Sequence, residues 1–196
     1  MSAYRKYDRA KVGKLDDPAR LEILPPALLW RALDVRNPRI VLEIGAGTGI
    51  FAAAFALVAP TVTIYAADTE ETMLDWMREN RPEVGSGRVV PVLSSETEVP
   101  MESDSVDAVY MLNVHHELAD PAGTYIEARR LLRAGGRLLV VDWAPVSTQK
   151  GPPQEIRVSA KTLIAYVEAA GFAEAKVHPG LMWHGMISAT NPEYTT

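Results

Sequence analysis

From Arg39 onward the chain alternates short apolar strand patterns with helical ones, and this alternation limits the possible folds more than any other feature. Strand–helix–strand repeats build a parallel sheet whose connecting helices must lie on its faces. Strands are expected at Ile40–Ile44, 62–67 with Asp68 at the tip, Val89–Leu93, Val106–Leu112 and 137–141. Helices are expected at Ile50–Val58, 70–78 and 121–132, the last closed by Gly135-Gly136. The tail adds a helix capped by Ser159 and ended by Gly171, then two strands at 175–177 and 182–189 that turn through His178-Pro179-Gly180. The expectation is an α/β fold on seven strands.

Residues 1–38 have no strand pattern. Asp17-Pro18 and Pro25-Pro26 are helix-start signals, so this part reads as a helical arm packed on a core of residues 39–196, together one domain. At 196 residues with 47% hydrophobic and 23% charged side chains, the chain has the make-up of a folded domain. A net charge of −5 without a basic stripe argues against a nucleic-acid partner. Arg129, Arg130 and Arg133, the densest basic cluster, sit where a helix end favours positive charge. The absence of cysteine removes disulfides, thiolate metal sites and thiol nucleophiles. The start of the sequence lacks the apolar stretch of a signal peptide, and no segment has the length of a membrane span. A cytoplasmic protein without membrane insertion is expected, and no feature specifies an oligomeric state.

The first strand runs into Glu43-Ile44-Gly45-Ala46-Gly47-Thr48-Gly49, a glycine-rich turn into the next helix. Such a turn lets a ligand approach the main chain closely. A dinucleotide fingerprint would place its last glycine at position 50, where this chain has Ile50. That spacing disfavours a nicotinamide or flavin oxidoreductase. Glu43 lies in an otherwise apolar strand end, where a carboxylate is costly unless it meets a cation or a hydrogen-bond donor. Asp68 ends the second strand, where a short carboxylate can accept from two vicinal ribose hydroxyls.

The Glu43–Gly49 segment resembles the E/D-x-G-x-G-x-G motif of class I S-adenosylmethionine-dependent methyltransferases. Leu131 to Leu138 and Ala170-Gly171-Phe172 are similar to the small members grouped near the ubiquinone and menaquinone biosynthesis enzymes. The resemblance implies a Rossmann-like seven-stranded sheet of order 3-2-1-4-5-7-6 with the last strand antiparallel and helices on both faces. It also implies methyl transfer from S-adenosylmethionine, leaving S-adenosylhomocysteine. Gly45, Ala46 and Gly47 would then lie against the methionine part of the cofactor, with Glu43 holding its ammonium. Asp68 would take the ribose and Thr69 the adenine edge. Ser95 and Glu96 stand where the family carries aspartate and alanine beside the adenine. Asn113, at the end of the fourth strand, completes the expected cofactor set.

The acceptor of such a reaction, expected to be a small molecule, belongs at the switch in strand order between the first and fourth strands. His115 and His116 follow the fourth strand there, and Trp143, Trp183 and His184 should reach the same rim. His116 has a matching histidine in the family. It can serve as a general base, as pocket wall or as a structural hydrogen-bond partner. A metal site is not expected, because neighbouring residues on a helix point about 100° apart. A cofactor-binding sensor or activator without catalysis is the alternative from a different class.

Overall fold

A computed structural model describes residues 12–193; residues 1–11 of the expected arm lie outside the described residues. The arm enters as three short helices, α1 (Val12–Leu15), α2 (Ala19–Ile23) and α3 (Pro26–Leu33). Both proline signals hold: the Ala19 amide donates to the Asp17 carboxylate at 2.9 Å, and Pro26 opens α3. Alternation then follows as β1 (Ile40–Ile44), α4 (Ile50–Val58), β2 (Thr63–Asp68), α5 (Glu71–Asn80), α6 (Pro82–Gly85), β3 (Val89–Leu93) and β4 (Val106–Leu112). After β4 come a single 3-10 turn at His115–Glu117, α7 (Pro121–Leu131), β5 (Leu132–Trp143), a second 3-10 turn at Gln154–Ile156, α8 (Ala160–Ala169), β6 (Ala173–Val177) and β7 (His184–Thr190).

The sheet order is β3-β2-β1-β4-β5-β7-β6, with β7 antiparallel to both neighbours. Leu24, Leu29, Phe51, Phe55, Leu74 and Met77 bring the arm, α4 and α5 onto one face. Tyr125, Leu131, Leu163 and Val167 bring α7 and α8 onto the other. Helix α4 is apolar nearly all round because it is covered on two sides, by the sheet below and by α3 above. Among the described residues no helix is long and apolar enough to cross a membrane.

The region after α7 departs from expectation. Helix α7 ends at Leu131 without a left-handed residue, since Leu132 is already extended and pairs with Val106 on β4. Gly135, with φ +75°, instead serves a bulge in β5, which lies between the Leu132 pairing and the Arg137 pairing. Burial of Leu132 against β4 stabilises this early entry into the sheet. Trp183 likewise falls just before β7, in the connection from β6.

Candidate functional site

The strand register assembles the site. Glu43 on β1 lies opposite Tyr110 on β4, Ile44 lies opposite Ala67 just before Asp68, Leu112 lies opposite Val141 on β5, and Trp143 lies opposite His184 on β7. Residues distant in sequence therefore meet along one edge, at the carboxyl ends of the parallel strands.

The glycine turn is pinned at both ends. The amides of Gly45 and Ala46 both donate to the Ala67 carbonyl at 2.9 Å, and the Gly47 amide donates to Asp68 Oδ2 at 2.7 Å. Gly45 has φ +74°, and a Cβ there would stand 2.5 Å from the Val114 side chain, so the position excludes any other residue without rearrangement. Among the described residues a Cβ at Gly47 would meet only Leu15 of the arm, at 3.4 Å, so this part of the turn faces α1. The arm is fastened over it: Thr48 Oγ1 donates to the Leu15 carbonyl at 3.4 Å, and Arg81 pairs with Asp16 while its Nε donates to the Thr48 carbonyl at 2.9 Å.

Glu43 is 2% exposed and accepts a 3.0 Å hydrogen bond from the Tyr110 hydroxyl. Burial pushes its pKa up to about 8; the Tyr110 hydrogen bond and the charge of Arg20 offset this only in part. Burial also raises Asp68, against the amides of Glu70 and Gly47 that favour its charge. Those two amides leave the Asp68 carboxylate with further lone pairs to accept from a ligand. Asn113 adopts φ +61° and donates its backbone amide to the Val141 carbonyl at 2.8 Å, while its buried side-chain oxygen has no hydrogen-bond partner among the described residues. An orphaned acceptor at the tip of β4, next to the strand that carries the buried Glu43, fits a ligand with an ammonium, and the part-buried Asp68 at the tip of β2 fits one with hydroxyl donors.

Thr69 and Ser95 are exposed on the β2 and β3 side of the turn. Glu96 lies in the same loop as Ser95, but its carboxylate accepts from the Asp120 amide and so holds the start of α7. The two adjacent histidines diverge. His115 points away from the strand tips, its Nδ1 2.9 Å from the Tyr125 hydroxyl and its ring packed edge-on against Tyr166. His116 turns to Asp142, a wholly buried carboxylate that accepts from the His116 amide at 3.2 Å and lies 2.7 Å from its Nδ1. The Trp143 amide also donates to this carboxylate, at 2.6 Å. Burial works against a charged His116, yet the hydrogen bond and charge of Asp142 outweigh it and raise the imidazole pKa. With Nδ1–H facing Asp142, Nε2 carries the lone pair; it stands 3.6 Å from the Glu117 carboxylate, beyond hydrogen-bond range.

Trp143 is buried under Gly151, whose added Cβ would lie 2.6 Å from the indole, and its ring centroid is 4.2 Å from that of His184. Trp183 is more open, with Lys150 over its ring at 5.2 Å. Neither the pairing of His116 with Asp142 nor the role of Tyr110 was expected from sequence. The signal for Asp142 was one acid closing the apolar run Leu138–Val141. Asp107 accepts from the Arg39 and Ile40 amides and pairs with Arg133 at the far end of the sheet. An open recess of about 730 Å³ also lies toward that end, near Ile40, Tyr65 and Met101, and Arg130 on its wall is already held by Glu127. It is remote from the glycine turn and from His116.

A family profile described as "Methyltransferase domain" matches residues 42–140, which is half of the chain and runs from the end of β1 into β5. An uncharacterized methyltransferase of Mycobacterium bovis is 38% identical over 117 residues, covering 60% of this chain and 44% of the relative. A demethylmenaquinone methyltransferase of Clavibacter sepedonicus is 31% identical over 149 residues, covering 72% and 59%. The chain thus spans about half the length of these curated relatives. The crystal structure of a SAM-dependent methyltransferase from Aquifex aeolicus superposes with a TM-score of 0.87 at 28% identity, covering 94% of this chain and 99% of that one.

Proposed function

Since the chain belongs to the S-adenosylmethionine-dependent methyltransferases, we propose that it methylates a small-molecule acceptor with His116 as general base and Asp142 as the residue that positions it. S-Adenosylmethionine, the cofactor of this family, supplies a methyl group on a sulfonium, which an in-line nucleophile can displace without help to the leaving group. Glu43 and Asn113 would hold its amino-acid end over the glycine turn, and Asp68 its ribose. Thr69, Ser95 and the loop of Glu96 would border the adenine. What remains for the protein is to hold the acceptor in line and to take its proton.

The observation that carries this reading is the His116–Asp142 contact. A wholly buried carboxylate grips both the backbone and Nδ1 of one histidine at the tip of β4, which fixes the tautomer and leaves Nε2 as acceptor. Removing a general base typically costs roughly 10²- to 10⁴-fold in turnover, so His116→Ala should lose activity in that range while binding the cofactor as before. Because the base acts only when neutral, turnover should rise with pH through an inflection above the ordinary histidine value. Asp142→Asn takes away the charge that raises this pKa, so its inflection should move to lower pH as its rate falls. S-Adenosylhomocysteine release measured across pH tests both, and a His116→Ala enzyme with the wild-type profile would rule the base out.

A further inference from the structure

We infer that the acceptor is a hydroxyl compound carrying a second oxygen, and that His184 holds that second oxygen while His116 takes the proton from the reacting one. This rests on the methyl-transfer reading above and names its substrate class. The chain has four histidines, and three have a ring nitrogen engaged: His115 with Tyr125, His116 with Asp142 and His178 with Ser188 Oγ at 2.7 Å. His184 is 7% exposed, and among the described residues neither of its ring nitrogens has a hydrogen-bond partner. A buried polar group left without a partner is destabilising, and a ring wanted only for packing beside Trp143 could be phenylalanine without that cost. Two shielded, unengaged nitrogens imply a ligand that supplies the missing bonds.

The surroundings select the ligand's chemistry. Burial first, then the charges of His116, Arg20 and Arg157, bring the His184 pKa down to about 4 against the pull of Asp142, so the ring is neutral and offers one donor and one acceptor. A hydroxyl or carbonyl oxygen matches that offer. A protonated amine would need a carboxylate with capacity to spare. Asp142 accepts from three N–H groups and lies on the Nδ1 edge of His116, away from Nε2, and Glu117, which does approach Nε2, has a side chain 64% exposed, where water screens its charge. An oxygen nucleophile needs neither. Its hydroxyl proton passes to His116 Nε2, its lone pair forms the C–O bond, and the methyl–sulfur bond breaks with both electrons left on sulfur. The sulfonium becomes a thioether, and His116 returns the proton to water.

Catechol and phenethylamine are suitable probes, read first by ¹⁵N-histidine NMR on the protein without cofactor and then by methyl transfer. Catechol should shift the His184 ring nitrogens and be converted to its methyl ether, whereas phenethylamine should do neither. His184→Phe should raise the KM for catechol by tenfold or more with kcat and cofactor affinity little changed, and His184→Gln, which keeps a donor and an acceptor, should recover part of the loss. The inference is overturned if the amine is bound or methylated in preference. It is equally overturned if neither probe moves His184, or if His184→Phe leaves KM unchanged. Failure of the wild-type protein to bind S-adenosylmethionine would instead strike the methyl-transfer reading on which this one rests.

Discussion

Glu43 shows how one residue couples ligand, proton and fold. In the folded chain its carboxyl keeps its proton up to about pH 8, whereas an unfolded chain gives it up near the ordinary 4.5. The stabilisation from this group is therefore complete below pH 4.5 and is lost as pH rises through 8. A cofactor ammonium beside the carboxyl reverses the preference, because it favours the charged form. Binding S-adenosylmethionine at pH 7 should accordingly release close to one proton, seen as a binding heat that depends on the ionisation enthalpy of the buffer. Glu43→Gln should bind more weakly and show no such dependence. A wild-type heat independent of buffer would mean that Glu43 is already ionised. Register made this coupling, since Tyr110, the hydroxyl that faces Glu43, is opposite it only when β1 and β4 pair.

Helix α4 is the element on which the site stands. It starts at the last glycine of the turn and carries Phe55, wholly buried, with its ring 4.5 Å from Tyr110 below and 5.6 Å from Trp30 of α3 above. One side chain thus joins the arm to the strand that supports Glu43. Phe55→Ala should cost about 3–5 kcal/mol, measurable by denaturant unfolding. It should also weaken cofactor binding beyond what its distance from the ligand suggests, because α3 and Tyr110 lose a common support. A loss under 1 kcal/mol would show that the arm packs independently of α4.

Across the whole molecule, the parts legible in sequence were those set by local pattern. The β1, β3 and β4 boundaries and helix α4 follow from apolar runs between turn signals, and Glu43, the glycines and Asp68 were picked out as candidates by their spacing along one strand–helix–strand unit. The order of strands was carried by the family resemblance, and the sheet has that order. What local pattern could not convey is the pairing of distant residues. His115 and His116 are adjacent and were both expected at the acceptor rim, with His116 singled out by the family resemblance alone, but one packs against Tyr125 and Tyr166 and the other is taken by Asp142, a choice made only when β4, β5, α7 and α8 come together. The glycines after α7 read as a helix stop, yet the burial of Leu132 against β4 decided the matter first. Asp16 and Arg81, which fasten the arm over the glycine turn, are 65 residues apart and carry no shared signal.

The central claim is that the turn between β1 and α4, with carboxyls at both polar ends, holds S-adenosylmethionine. Calorimetric titration of the protein with that compound tests it most directly. One-site binding should appear in the wild type, weaken at least tenfold in Asp68→Ala through loss of the ribose contact, and persist in Asp142→Asn. No heat with S-adenosylmethionine, alongside clear binding of a nicotinamide or flavin nucleotide, would contradict the account.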